Sequence, residues 1–257
     1  MSKKIGFIVP VLNDFRVQKC IESIRRFDDL GTCKILIMSG ASSDEFCASL
    51  LPLLTDDDIL CREPDDGLFD ALNQGLAIID TDIIGWLGAD DFLSSNISAS
   101  TLLHDFDGGV DAVVYTTAYV IGNYISRTLH SRFSKRPYRD WGFHNPHFST
   151  FLLRNIADKQ SFQIHAPSRN QFADITYFSE LFKNIKLYTK SEIGVYMAEG
   201  GVGSGSIRSI IVNARGRLNY FRSNHGLFRA IVMVLLNYGW KATSRLQYKI
   251  FPKKIDM

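Results

Sequence analysis

An α/β fold, with a mostly parallel Rossmann-like sheet and helices on both of its faces, is predicted by three features of the sequence. Over the first ninety residues, continuous apolar runs alternate with segments whose apolar residues recur every three or four positions. Each run ends in a short polar loop. The 257 residues are 46% hydrophobic and 22% charged, which is enough apolar material for one large packed domain and too little charge for global disorder.

The elements follow in order. Ile5 to Val9 is an unbroken apolar run, as a strand covered on both faces requires. Val17, Cys20, Ile21 and Ile24 stand at i, i+3, i+4 and i+7, the spacing of a helix with one apolar face. Ile35 to Met38 is a second strand, and Ser42-Ser43-Asp44-Glu45 offers an N-cap for a helix running toward Leu54. Ile59 to Arg62 gives a third strand, about 69–78 a helix, and Ile83 to Leu87 a fourth strand. Such alternation implies right-handed crossovers.

Beyond residue 110 the pattern changes. Ala112 to Val120 and Tyr124 to Leu129 read as β segments around the turn signal Gly122-Asn123. Residues 131–142 are basic and aromatic without periodicity, and read as a loop. A helix near Ala173 to Phe182 precedes two short strands, Ile185 to Tyr188 and Ile193 to Met197. The last fifty residues read as helical, with Ile210, Ile211, Leu218, Phe221, Phe228, Ile231, Val232 and Leu235 at the apolar positions.

The net charge of +2 conceals a division. Residues 207–257 hold ten Lys/Arg and one acid, a net of +9, whereas residues 1–206 hold 19 basic and 26 acidic residues, a net of −7. An acidic majority argues against a nucleic-acid binder. Cys20, Cys33, Cys47 and Cys61 form no CxxC pair, so buried thiols in a reducing compartment fit better than zinc. The apolar start is broken by Pro10 and Asn13-Asp14 without a cleavage signature, and Ala230 to Leu236 is too short to span a bilayer. An intracellular protein without a membrane span is the expectation.

In an open parallel sheet, ligands bind beyond the carboxyl ends of the strands. After strand one comes Pro10-Val11-Leu12-Asn13-Asp14, without the glycines of a dinucleotide fingerprint. After strand two comes Ser39-Gly40-Ala41-Ser42-Ser43-Asp44, after strand three Glu63-Pro64-Asp65-Asp66-Gly67, and after strand four Gly88-Ala89-Asp90-Asp91. Adjacent acids repel unless a cation or donor lies between them. Hard carboxylate oxygens at a strand end suit Mg²⁺ or Mn²⁺, an ion that usually shares its coordination with phosphates. The competing reading, a helix cap at Asp90-Asp91, is about equally supported by the acids alone; the polar loops at all four strand ends favour metal and diphosphate.

These loops, together with the run Glu63-Pro64-Asp65-Asp66-Gly67-Leu68-Phe69-Asp70-Ala71-Leu72-Asn73-Gln74-Gly75, resemble the family 2 glycosyltransferases of GT-A fold. The resemblance is to the bacterial enzymes that build O-antigen, capsular and exopolysaccharide repeats. It continues through Pro146-His147-Phe148-Ser149-Thr150-Phe151, Ala173-Asp174 and Gly200-Gly201-Val202, covering roughly residues 5–206. It implies a catalytic domain over 1–206, with a nucleotide-sugar half to about 110 and an acceptor half from 111, followed by the basic tail 207–257.

The resemblance also implies roles. Pro10 and Asn13 would line the nucleotide pocket, and Asp65 would sit near the uracil or ribose, with Ser39, Gly67, Asp70, Asn73 and Gly201 in the same substrate-binding set. Asp91 would be the direct ligand of Mn²⁺ or Mg²⁺ and Asp90 would lie between ribose and metal. Asp174 would be the catalytic base, with a helix-surface acid as the competing reading. His147 would lie near the donor diphosphate or the acceptor. Ser39, Asp66, Phe69 and Gly203 depart from the family pattern, which normally has an acid, a lysine, a tyrosine and a serine there.

The glycine-rich stretch 200–206 lacks the GK[ST] ending of a phosphate loop, and reads as a loop that orders over the donor. Arg127, Arg132, Lys135, Arg136 and Arg139 form a cationic stretch that could meet a diphosphate-linked acceptor, though a solvated loop is the plainer reading. The expected reaction is inverting transfer from a nucleotide-sugar, most simply a UDP-sugar, to a hydroxyl of a surface-polysaccharide precursor on a polyprenyl carrier. The tail would then lie on the inner face of the plasma membrane, with packing on the domain or a homodimer contact as the competing readings. Two other functions remain open at this stage: a sugar-phosphate nucleotidyltransferase, and a non-catalytic nucleotide-sugar or membrane-binding module.

Overall fold

The computed structural model describes residues 3–163, 173–199 and 207–255. Its first half follows the alternation in the sequence. β1 (Ile5–Pro10), β2 (Cys33–Met38), β3 (Ile59–Cys61) and β4 (Ile83–Trp86) pair in parallel in the order β3-β2-β1-β4. Their apolar runs are buried because α1 (Val17–Phe27) and α3 (Leu68–Ile78) cover them. The predicted face of α1 is the buried one, with Val17, Cys20, Ile21 and Ile24 sealed from solvent. Gly75 of α3 lets that helix approach β1, since a Cβ there would lie 2.5 Å from Ile8 Cγ2.

α2 (Asp44–Leu50) is capped by Ser43, whose Oγ accepts the N–H of Phe46 at 3.2 Å. It stops short of the expected Leu54. Pro52 has no N–H to continue an α-helical ladder, and residues 51–53 tighten into a 3-10 turn.

The second half is mixed. From β4 the sheet continues through β8 (Thr150–Leu153), β6 (Ala112–Ile121), β9 (Leu187–Ala198) and β5 (Phe92–Leu93), with β7 (Tyr124–Leu129) on the free end of β6. β6 and β9 are parallel, whereas β8, β7 and β5 pair antiparallel with their neighbours. The two short strands expected at 185–188 and 193–197 are one strand, β9, which keeps pace with β6 through register shifts around Thr116. Polar Lys190 stays on it because it pairs with Asp105 of α4 (Ala99–Phe106) at 3.0 Å.

The stretch 131–142, expected to be a loop, holds a 3-10 turn at 131–134 and one helical turn, α5 (Arg136–Arg139). Phe133 organises it, stacking on Phe143 at 4.5 Å and meeting Trp240 edge-on at 5.0 Å. Trp240 belongs to the C-terminal hairpin of α8 (Ile207–His225) and α9 (Leu227–Ile250). This hairpin is fastened to the domain. Asn237 Nδ2 donates to the Gly142 carbonyl at 2.7 Å, the N–H of Thr128 donates to Ser244 Oγ at 3.0 Å, and Ile255 is buried with Phe92, Val120, Ile125 and Tyr196. One turn of α6 (Arg154–Ala157) and the helix α7 (Ala173–Leu181) complete the described elements.

Candidate active site

The carboxyl ends of β1 and β2 open into a cavity of about 390 Å³ whose wall includes Pro10, Ser39, Gly40, Asp65, Gly67 and Ala71. Four of the predicted residues therefore share one wall. Asp65 Oδ1 accepts the N–H of Gly67 at 2.9 Å, and its other oxygen lies against Gly40. Gly40 has φ +44°, and any Cβ there would strike that carboxylate. Ser39 is fully buried, and its Oγ donates to the Cys61 carbonyl at 2.9 Å, so it contributes shape and no free hydroxyl.

Other residues singled out in the same motifs act as scaffold. Asn13, at φ +49°, accepts the N–H of Ser43 on Oδ1 at 2.9 Å and donates its own N–H to Ser42 Oγ, pinning the loop after β1 to the loop after β2. Asp70 accepts the N–H of Asp66 at 3.0 Å and the Gln74 amide at 2.9 Å. Asn73 makes a two-way bond to the backbone of Phe162, both legs 2.8 Å. These three side chains hold the cavity's loops in place from outside its wall.

After β4 the chain turns through Gly88 to Asp91. Asp91 is 3% exposed, and its two oxygens accept the N–H groups of Gly88 at 3.2 Å and of Ala198, at the end of β9, at 3.3 Å. Burial first, then the neighbouring Asp90, pushes its carboxyl up to about 8, while the two N–H groups and Arg16 pull the other way. Asp90 is more open and meets Arg16 Nη1 at 3.2 Å; Arg16 also holds Asp14 at 2.6 Å. Sequence reasoning missed Arg16, which lies in an otherwise unremarkable loop. Among the described residues no three His, Cys, Asp or Glu gather around one point. Asp90 and Asp91 are the carboxylate pair that this turn presents. Its hard oxygens suit Mg²⁺ or Mn²⁺, and each keeps lone pairs beyond the bonds it accepts.

Trp86, two residues before Gly88, donates its indole N–H to the carbonyl of His147 at 2.8 Å. That bond ties the turn 147–149 to the end of β4. His147 Nδ1 lies 3.6 Å from Asp174 Oδ2 in the first turn of α7, and each side chain is about a quarter exposed, 23% and 24%. Burial lowers the imidazole's pKa and Asp174 opposes the shift, leaving a neutral ring beside a carboxylate at neutral pH. The two residues predicted far apart in sequence are thus neighbours. Gly201 lies outside the described residues, as does the rest of the glycine-rich stretch 200–206.

Most of the cationic stretch noted in the sequence is engaged locally. Arg127 stacks on Tyr119 and pairs with Glu199 at 3.3 Å, Arg139 donates to the Phe182 carbonyl at 2.7 Å, and Arg136 lies 3.6 Å from Asp140. Asp174 and His147 instead line a second cavity, of about 120 Å³, whose far wall is made by the C-terminal hairpin.

The model of glycosyl transferase family 2 matches residues 7–169, and the chain belongs to that family. Its fold is that of the GT-A glycosyltransferases. Among solved structures, S. aureus TarS 1–349 in complex with UDP-GlcNAc aligns with a TM-score of 0.62 at 11% identity, covering 95% of this chain and 74% of that one. A mannosyltransferase from Pyrobaculum calidifontis, in complex with GDP-Man and Mn²⁺, aligns with a TM-score of 0.57 at 14% identity, over 96% of this chain and 74% of that one. Against a longer TarS chain the TM-score is 0.58 at 11% identity; 92% of this chain is covered, and it spans 43% of the TarS length. No curated protein matches by sequence. Among the described residues, no helix is long and apolar enough to cross a membrane.

Proposed function

We propose that the protein is an inverting glycosyltransferase that moves a sugar from a nucleotide-sugar, most simply a UDP-sugar, to a hydroxyl of a surface-polysaccharide precursor carried on a polyprenyl diphosphate. The observation that carries the reading is the grouping, at one end of the sheet, of the Pro10–Asp65 cavity, the Asp90–Asp91 turn and the His147–Asp174 pair. Complexes of structural neighbours with UDP-GlcNAc and with GDP-Man and Mn²⁺ support a nucleotide-sugar donor and a divalent ion.

In this reading the nucleoside occupies the cavity, with Asp65 directed at its base or ribose and Gly40 giving it close access to the backbone. Asp90 and Asp91 hold the divalent ion, which, when bound, offsets the charge that develops on the departing diphosphate. Asp174 takes the proton of the acceptor hydroxyl as the new bond forms, because that hydroxyl is too weak an acid to lose it unaided. His147, neutral, orients the hydroxyl or the Asp174 carboxylate without competing for the proton. A single base facing the leaving group across the sugar gives direct displacement and inversion.

The outer face of α9 supports a peripheral membrane position. Phe228 (83% exposed), Ile231, Leu235 (66%), Leu246 and Ile250 form an apolar stripe along it, ending beside exposed Lys249, Lys253 and Lys254. Because the hairpin packs on the domain, the stripe is the part to alter. Phe228→Ser with Leu235→Ser is expected to abolish binding to anionic liposomes and leave the melting temperature unchanged. A shift from dimer to monomer with unaltered liposome binding would make the stripe a homodimer contact instead.

The donor assignment is tested by calorimetry with a panel of nucleotide-sugars, with and without Mn²⁺, followed by NMR of the product's anomeric centre. One UDP-sugar binding only with metal, and an inverted product, is the expected result. No response to any donor would overturn the reading.

A further inference from the structure

The cavity between Asp174 and the C-terminal hairpin contains a charge arrangement that the steps above do not use. Arg217 of α8 and Lys241 of α9 both line it, and neither has an ion-pair partner among the described residues. The Nε and Nη1 of Arg217, the Nε1 of Trp240 and the Nε2 of His144 are shielded from solvent without a hydrogen-bond partner among those residues. The nearby Glu199 is already shared by Arg127 and Arg245, so its single charge is taken up by two other cations.

A half-buried guanidinium whose Nε and Nη1 are shut off from solvent without a partner is unfavourable unless an anion lies near it. The one carboxylate among the described residues of the wall is Asp174; its charge favours the Arg217 cation from a distance, but it makes no ion pair with either cation and is one charge against two. Residues 164–172 and 200–206, which precede Asp174 and α8 in the chain, contain no Asp or Glu that could serve. The same crowding acts on Lys241. Burial, followed by Arg217, Arg127 and Arg245, pushes its ammonium down to about 7. Two cations with a single carboxylate beside them thus line a space several times the roughly 30 Å³ of a liquid water molecule.

We propose that this cavity is an oxyanion subsite in which Arg217 and Lys241 hold a phosphate group of the acceptor next to Asp174. The inference rests on Asp174 being the base that meets the acceptor hydroxyl. The donor's phosphates belong at the Asp90–Asp91 turn, whereas this cavity is closed by α8 and α9, and the outer face of α9 carries the apolar stripe. A phosphate linking a saccharide to a lipid would enter from that side. The hairpin then does two things at once: its outer face meets the carrier and its inner face holds the carrier's charge.

Calorimetric titration of the full-length protein with inorganic phosphate, alone and with saturating UDP and Mn²⁺, tests it. Saturable binding that persists beside UDP is expected. Arg217→Gln and Lys241→Met should each weaken it at least tenfold and raise KM for the acceptor with KM for the donor unchanged. Arg222→Gln, on the exposed side of the same helix, should bind as wild type. Should Arg217→Gln fail to fold, Arg217→Lys and Lys241→Met decide. Complete displacement of phosphate by UDP would assign the cavity to the donor and overturn the proposal, as would unaltered phosphate affinity in the folded variants. Asp174→Asn separates this inference from the one beneath it. Retained turnover there would remove the base while leaving the phosphate titration to stand or fall by itself.

Discussion

The two ends of the proposed catalytic cleft carry opposite electrostatic problems. At the strand ends of β1 to β4, carboxylates are crowded: Asp91 is buried beside Asp90 and is relieved in part by backbone N–H groups and Arg16. Under the hairpin, cations are crowded: Arg217 and Lys241 are half-buried in one wall, and Arg217 Nε and Nη1 have no hydrogen-bond partner among the described residues. Each arrangement is unfavourable alone and, in the proposed reading, would be relieved by a ligand of the other sign, a divalent cation in the first case and an oxyanion in the second. Asp174 and His147 line the second region, and Trp86 ties His147 to the end of β4 that leads into the first. A reaction in which one diphosphate leaves and a phosphate-bearing acceptor arrives would use both.

The largest effect is expected where the two regions meet. Asp174→Asn should lower kcat by about 10²- to 10⁴-fold, the usual contribution of a positioned general base. Donor affinity, read by calorimetry, should be unchanged because Asp174 is outside the wall of the cavity proposed for the donor. A loss of donor affinity equal to the loss of turnover would place Asp174 in the donor site and merge the two regions.

Next comes the acidic region by itself. Asp91→Asn should reduce kcat by roughly 10²- to 10³-fold, as loss of a charged group acting on the transition state does. Mn²⁺ should then no longer enhance donor binding in a calorimetric titration. Phosphate binding under the hairpin should be unaffected, because Asp91 contacts Gly88 and Ala198 and lies outside the wall of that cavity. Gly40→Ala is a milder probe of the same region. It places a side chain on an αL residue, at about 1–2 kcal/mol, and displaces the Asp65 carboxylate. Its donor Kd should rise about tenfold with little change in Mn²⁺ dependence.

The contrast also explains what could be read in advance. The parallel half was legible because strands buried on both faces are written as apolar runs, and α1 announces its buried face at Val17, Cys20, Ile21 and Ile24. The second half was not. β5 and β8 are two and four residues long, too short for any period to show. β9 contains Lys190 and Glu192, so its pattern splits although its backbone does not. The turns within 131–139 depend on Phe133 meeting Trp240, more than a hundred residues away. Among site residues, the carboxylates were visible because adjacent acids after a strand are unusual. Arg217 and Lys241 were hidden among ten tail cations, although Arg217 falls in phase with Ala214, Leu218 and Phe221, at i, i+3, i+4 and i+7. A cation on the apolar phase of a helix was the available signal, and net charge alone averaged it away.

The smallest effect bears on the basic region without substrate. Lys241 titrates near 7 when folded and near 10.4 when unfolded. Between these values the unfolded chain binds a proton that the folded chain does not, so stability gains a term that rises with pH across the window. Below 7 both states are protonated and the term is flat. Burial, then Arg217, Arg127 and Arg245, press the folded value down, whereas Glu199 opposes them. Lys241→Met should therefore show a flatter stability-against-pH curve than wild type from about pH 7 to 10, measured by urea unfolding. Saturating phosphate should flatten the wild-type curve in the same way, because an oxyanion holds the folded ammonium charged. If phosphate shifts the whole curve without changing its slope, the anion binds away from Lys241 and the two regions are not the matched pair described above.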